Sequence, residues 1–508
     1  MEVRHRLPFE PKGQRRISTS ILTCLLMSDH AIHSASKSLT IHAALPWLVG
    51  AGVYVLLLTL GPQLLNDPDT YSHIAVGRWI ISHGAVPDRD PFSFSMHGAP
   101  WITFEWLSQI VYAAMYALSG WAGVVALAAA AIALALGLLT RFLLRELAPT
   151  PTLLMVLAAI VLLSPHLLAR PHVLTLPIMV TWAAALVRSM DRRTTPPPYW
   201  ALPLLVLWAN LHGSVVLALG LIGPAVLEAL IDEKRSEWPR VLLRWLPFTC
   251  LAVAASCLTP YGPAPLLVPL KTLGLGEALM LIAEWRPQDF GHFNNFEFLL
   301  LAGILALSRG VTLPVVRALV VLGLLHFALA QVRNADLLAL LAPLYLAAPL
   351  ARQFGTQAED NAGGSARGVT LMALSVMVVA TALAQVRDIR PASRNTPEAA
   401  VASAGLAKAR AVFNDYSFGG YLIFSGIPTF IDGRGELFGG QFIVRQNSAV
   451  SLADLGDFLK LLDQYKLDAT LLQPNTPAVA LLDRLPDWRR VYSDEVAVVH
   501  KRRDLPKN

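Results

Sequence analysis

The apolar run IHAALPWLVGAGVYVLLLTLGPQLL, Ile41 to Leu65, is followed at once by Asn66-Asp67-Pro68-Asp69-Thr70-Tyr71-Ser72-His73, and this junction decides the class of fold. The run exceeds the about 20 apolar residues that cross a bilayer. It is also longer than a signal-peptide core, so it reads as a retained first membrane helix. Ahead of it, residues 1–40 carry Arg4, Arg6, Lys12, Arg15, Arg16 and Lys37, a basic tail that the positive-inside bias assigns to the cytoplasm. The two acids beyond the run then open a long loop, 66–120, on the outer side. It is dense in Trp, His, Pro and acids.

Composition points the same way. The 508 residues are 55% hydrophobic and only 15% charged, with a mean hydropathy of +0.51. That excludes a soluble multidomain protein and implies an α-helical polytopic membrane protein. The net charge of +6 does not imply nucleic acid, because the cations lie in short loops beside apolar segments and no basic face is interleaved with aromatics. Cys24, Cys250 and Cys257 fall in the tail or in apolar segments, which argues against a disulfide framework or a Cys-rich metal site.

Threading the apolar windows so that Lys and Arg clusters fall inside gives about eleven transmembrane helices. After 41–65 come 121–143, 152–167 and 173–190. The stretch from Pro198 to Ile231 is either one over-long helix or two short ones broken at Trp208-Ala209-Asn210-Leu211-His212-Gly213-Ser214. The cations Lys234, Arg235, Arg240 and Arg244 favour two, since one helix would strand them outside. Helices follow at 242–258, about 295–307, 312–331, 337–350 and 369–386, with a flexible loop at 355–368. The odd count puts 388–508 outside, where alternating short apolar runs predict a small C-terminal α/β domain. The transmembrane domain is thus 41–387.

Under this topology the unusual polar residues gather at the outer face: Asp67, Asp69, Arg170, His172, Asn210, His212, Tyr261, Glu284, Arg286 and Arg333. Polar groups beside apolar segments usually face an aqueous cavity or a partner. Cations opposite carboxylates suit a site that binds phosphate and performs acid and base work. Each residue also has a plainer reading. Asp67 can cap the helix that Pro68 begins. His73, one turn after Asp69, faces the same cavity or simply lies in the interface. Arg170 and Arg333 are phosphate ligands or interface anchors, and Glu284 and Arg286 could be an exposed pair. His172 and His212 suit hydrogen bonding to substrate or to a loop better than a metal, for which no ligand spacing is present. A divalent metal is possible but not implied. Gly419-Gly420 suits a tight helix contact, and Asp432-Gly433-Arg434 a turn after a strand.

The run from Asp67 to Ala75, then Gly84-Ala85-Val86-Pro87, then Pro100-Trp101-Ile102-Thr103-Phe104-Glu105-Trp106-Leu107, resembles the first extracytoplasmic loop of GT-C glycosyltransferases of the aminoarabinose transferase and protein O-mannosyltransferase type. The resemblance implies an inverting transfer from a polyprenyl-phosphate-linked sugar donor to a lipid, glycan or protein acceptor, at the outer face of the bacterial cytoplasmic membrane. Asp69 falls where that family carries its catalytic base, and Asp67 stands beside it as a second catalytic candidate. Glu105 in the matched run joins the candidate substrate-binding residues. Thr70 stands where the family usually has a second acid. The motifs around Arg170, Asn210, Glu284 and Phe413-Asn414-Asp415-Tyr416 resemble large bacterial membrane proteins described only as glycosyltransferase-like. A transporter or flippase of a lipid-linked or anionic solute, and a non-catalytic assembly protein, are the alternatives. The enzyme reading expects Asp69, Arg170, His212 and Arg333 to line one cavity.

Overall fold

The computed structural model describes residues 42–192, 195–355, 367–392 and 396–503. The basic tail 1–40 and most of the 355–368 loop lie outside the described residues. The first helix, α1, runs His42–Thr59, and the acidic junction leads into α2, Asp69–His83. Helix α3 then spans Trp106–Leu143, interrupted only by non-helical angles at Ser119 and Gly120. The sequence reading begins its second helix at 121, where the second half of α3 starts, and keeps 106–120 in the loop, where the structure has a further helical stretch. Ser119-Gly120, with Gly120 at φ 57° and ψ −146°, is the break between the two halves of α3. Its first half carries Ser108, Gln109 and Tyr112, all buried, and α2 packs on it so closely that a Cβ at Gly77 would collide with the Gln109 backbone.

Helices α4 (Pro149–Leu163) and α5 (Leu176–Asp191) follow. The chain from 198 to 231 does break where expected, into α6 (Leu202–Leu211), α7 (Val215–Gly220) and α8 (Ile222–Ile231). His212 at the break is extended, with φ −164° and ψ 145°. Then come α9 (Trp238–Ser256), α10 (Asn295–Ser308), α11 (Val315–Ala330), α12 (Ala335–Phe354) and α13 (Arg367–Gln385). By length and composition, six helices of the described chain can cross a membrane, and five apolar helices are shorter. Trp182, Trp208, Trp245 and Phe248 fill the interior. Leu371, Val378 and Leu383 stand 65%, 68% and 59% exposed on α13, an apolar surface of the kind a lipid environment covers.

The C-terminal part forms a four-stranded sheet in the order β1 (Val412–Asn414), β2 (Ala469–Leu472), β4 (Val498–Arg502), β3 (Trp488–Ser493). The β1 and β2 strands pair in parallel and the other two pairings are antiparallel. Between them, α14 (Gly419–Phe424), α15 (Gly435–Phe438), α16 (Gly440–Ser451) and α17 (Leu455–Gln464) cover the sheet. Thr429, just before the Asp432 turn, makes isolated bridges to both Ser93 of the long loop and Val412 of β1.

That sharing joins the tail to the loop. Phe94 N–H donates to the Thr429 carbonyl at 3.0 Å, Thr429 N–H to the Phe92 carbonyl at 3.2 Å, and Ser95 Oγ to the Phe430 carbonyl at 2.6 Å. Helix α14 packs on α2 at Gly420, where a Cβ would overlap the Pro68 carbonyl. Gly420→Ala therefore should lower thermal stability by about 1–3 kcal/mol, the usual cost of overpacking, read from unfolding of the detergent-solubilised protein.

Candidate active site

The site is built at the carboxyl side of Pro68 from three segments that the backbone ties together. Ala169 N–H donates to the Leu64 carbonyl at 2.7 Å, Thr70 Oγ1 to the Ala169 carbonyl at 3.1 Å, and the Tyr112 hydroxyl to the Arg170 carbonyl at 3.0 Å. These bonds fix the Arg170 backbone beside the acidic junction. Its Nε and Nη2 grip both oxygens of Asp67, Nη2 at 2.9 Å from Oδ1, and its Nη1 meets Glu284. Nη2 also lies 3.7 Å from Asp69 Oδ2. From the other side, Arg333 Nη1 donates to Glu284 Oε1 at 2.9 Å, with its guanidinium over the Trp285 ring at 4.5 Å. Two guanidinium groups thus converge on one carboxylate, a pairing geometry equally suited to phosphate oxygens.

Asp67 and Asp69 are placed differently. The Asp67 side chain has no exposed surface, and its Oδ1 also accepts the Asp69 N–H at 3.0 Å. Asp69 remains 31% exposed. Burial first, then the charges of Asp432 and Glu436, push its carboxyl up to about 6. At neutral pH it is still an anion, poised to accept a proton.

A second group surrounds Glu105. His212 Nε2 lies 3.2 Å from Glu105 Oε1 and His73 Nδ1 lies 3.7 Å from Oε2. The Ser214 N–H donates to His212 Nδ1 at 3.1 Å, so that nitrogen holds no proton and the neutral ring carries its hydrogen on Nε2, aimed at Glu105. Burial, with Arg333, His73 and Arg170 nearby, holds His212 down at about 3, consistent with that neutral tautomer. Burial pulls His73 down to about 4. Burial and the Glu436 and Asp69 charges push Glu105 up to about 8, Arg333 opposing them.

A cavity of about 120 Å³ is lined by Arg170, His172, His212, Glu284, Arg333 and Asp336, over the apolar Leu176 and Met179. Arg170, His212 and Arg333 thus share one cavity, three of the four residues that the sequence reading expects there. Asp69 is not on that lining and reaches the cluster through Arg170. The His172 ring lies 6.2 Å from that of His212. Three predicted residues are held elsewhere. Asn210 is committed on all sides, accepting Trp106 Nε1–H at 2.9 Å and donating to the Val206 and Leu258 carbonyls at 2.7 and 2.9 Å. The Tyr261 hydroxyl donates to the Pro87 carbonyl at 2.7 Å and accepts Thr103 N–H at 3.3 Å, fastening the long loop. Arg286 is exposed, donates to the Met280 carbonyl at 2.8 Å, and lines a separate, larger cavity of about 700 Å³ with Gln288 and Asn294. Among the described residues, no group of three or more His, Cys, Asp or Glu is arranged to hold a metal ion.

Sequence reasoning missed the tail's share of the site. Trp101 Nε1–H donates to Glu436 Oε1 at 3.1 Å, and Arg434 reaches Asp90 across 344 residues of sequence. Nothing local in the sequence signals such a pairing.

No protein-family model matches the chain, and no curated protein matches it by sequence. In structure it is similar to the apo oligosaccharyltransferase of Archaeoglobus fulgidus, with a TM-score of 0.50 and 13% identity over 85% of this chain and 69% of that one. It is equally similar to the oligosaccharyltransferase AglB from Archaeoglobus fulgidus in complex with an inhibitory peptide and a dolichol-phosphate, with a TM-score of 0.51, 12% identity and the same coverage. The chain shares the fold of these two structures. A further similarity is to ArnT from Cupriavidus metallidurans bound to undecaprenyl phosphate, with a TM-score of 0.48 and 14% identity over 89% of this chain and 97% of that one. Within this fold, the Arg170 contacts with Asp67 and Glu284 and the Arg333 contact with Glu284 bring together the junction after the first membrane helix, the Arg170 turn and the segment just before α12.

Proposed function

We propose that the protein is an inverting glycosyltransferase that takes sugar from a polyprenyl-phosphate-linked donor at the outer face of the cytoplasmic membrane, with the domain from 388 onward extracytoplasmic. The observation that carries this reading is the convergence of Arg170 and Arg333 on Glu284 at one cavity, with Asp69 3.7 Å from Arg170. Asp69 takes the proton from an acceptor hydroxyl as its oxygen bonds to the anomeric carbon. The bond from that carbon to the donor phosphate breaks with its electron pair leaving on the phosphate, and Arg170 and Arg333 offset the charge that develops there. Glu284, bonded to both guanidinium groups, holds them side by side for the phosphate. Asp67, buried under Arg170, positions that arginine and does not touch substrate. His172 and His212 line the wall, and the acceptor is a lipid, glycan or protein.

The test is reconstitution in liposomes with polyprenyl-phosphate sugars. Release of the lipid phosphate with loss of sugar supports transfer, whereas movement of intact donor across the bilayer without release overturns it in favour of a flippase. Glu105 gives a finer check. With its carboxyl pushed up to about 8, it is mostly uncharged at pH 7, so Glu105→Gln should retain most of the transfer rate there. A fall in wild-type rate above pH 8, where the carboxyl loses its proton, should be absent from the variant.

A further inference from the structure

The tail turn Asp432-Gly433-Arg434 is held against the long loop by more than packing. Arg434 is 8% exposed. Its Nε and Nη2 donate to the two Asp432 oxygens at 2.7 Å each, and its Nη1 donates to Asp90 Oδ1 at 2.6 Å. The guanidinium lies over the rings of Trp101 and Phe92, at 4.6 and 5.3 Å. Both carboxylates are fully buried and otherwise satisfied, Asp90 by the Phe92 N–H at 2.9 Å and the Ser93 N–H at 3.1 Å, Asp432 by Thr429 Oγ1 at 2.8 Å. A buried charge cluster of this kind is a poor way merely to join two surfaces, since well-packed apolar residues often do as well or better.

What the knot holds in place is Gly433. A Cβ at Gly433 would overlap the Asp69 carboxylate, and one at Gly419 would overlap Asp432. Only a glycine hydrogen separates the turn from the proposed base. We propose that the tail belongs to the reaction centre: the Asp432-Gly433-Arg434 turn, pinned to Asp90, is a positioning element that seats the Asp69 carboxylate for the acceptor hydroxyl. This rests on the transferase reading above.

The charges around Asp69 make the proposal testable. Asp67 and Arg170 face it from the membrane side, Glu105 from the start of α3, and Asp432, Glu436 and Tyr416 from the tail, with Arg434 offsetting Asp432. Asp432→Asn removes a negative neighbour and leaves Arg434 less neutralised, so Asp69 should lose its proton at lower pH. Arg434→Gln leaves Asp432 and Asp90 without their cation, so Asp69 should lose its proton at higher pH. A turn that only packs would loosen in both variants, wet the carboxylate, and move both towards the ordinary aspartate range.

The experiment follows carbodiimide modification of Asp69 against pH by mass spectrometry in the purified full chain, with transfer kinetics in parallel. The wild-type midpoint should lie near 6, with the two variants displaced to opposite sides and the acid limb of the rate following them. Gly433→Ala should reduce kcat by about 100-fold, as expected when a reacting group is displaced by about 1 Å, with KM little changed. Midpoints that shift together, or not at all, overturn the proposal. Divergent midpoints in a protein that releases no lipid phosphate would instead sink the transfer step and leave the seating of Asp69 standing.

Discussion

Asp69→Asn should leave the protein folded and reduce transfer by about 10²–10⁴-fold, the range that a positioned general base contributes. The amide keeps the shape of the side chain and the helix start at Pro68, so donor binding through Arg170 and Arg333 should survive, with kcat carrying the loss. The pH dependence follows from the same carboxyl. A base must be ionised to act, and burial with Asp432 and Glu436 raises Asp69 to about 6. The wild-type rate should therefore climb with pH through about 6, well above the ordinary aspartate range. A variant with undiminished transfer would remove Asp69 from the mechanism.

Arg170→Met should act on stability and activity together. Asp67 is 2% exposed, and among the described residues Arg170 is its only cationic partner within 4 Å. Removing the guanidinium leaves that carboxylate buried and uncompensated, at a cost of about 3–5 kcal/mol. Loss of one of two groups on the departing phosphate should also lower kcat by about 10²–10³-fold. The double variant Arg170→Met with Asp67→Asn separates the two effects, because neutralising Asp67 should restore much of the unfolding temperature while transfer stays low. Recovery of transfer along with stability would mean that Arg170 serves only as the partner of Asp67. Arg170→Lys should not substitute, since an ammonium cannot span both Asp67 oxygens and Glu284 as the planar fork does.

The helical frame and much of the candidate site were legible because they rest on local chemistry. Apolar runs long enough to cross a bilayer declare themselves, and the acids after the first run, the Arg170 turn and the His212 break stand out against such a background. The first half of α3 was less legible. It lies inside the stretch read as loop and buries Ser108 and Gln109 against α2, which only packing reveals. Asn210, Tyr261 and Arg286 carry the right residue types, but their hydrogen bonds go to loop and helix backbone, and composition does not distinguish a ligand from a tie.

By itself the sequence determined a helical membrane protein with polar residues gathered at the junctions of its apolar segments, because hydrophobic length and charge placement act over tens of residues. The surroundings of the two first-loop acids, which the sequence reading separates only as cap and base, were decided by the tertiary structure: Asp67 sealed under Arg170, Asp69 left open between Arg170 and the Gly433 turn. The two carboxylates stand two residues apart in the chain. They differ because one meets a guanidinium about 100 residues away and the other a turn more than 350 residues away, and such pairings exist only once the loop and the tail have folded onto each other.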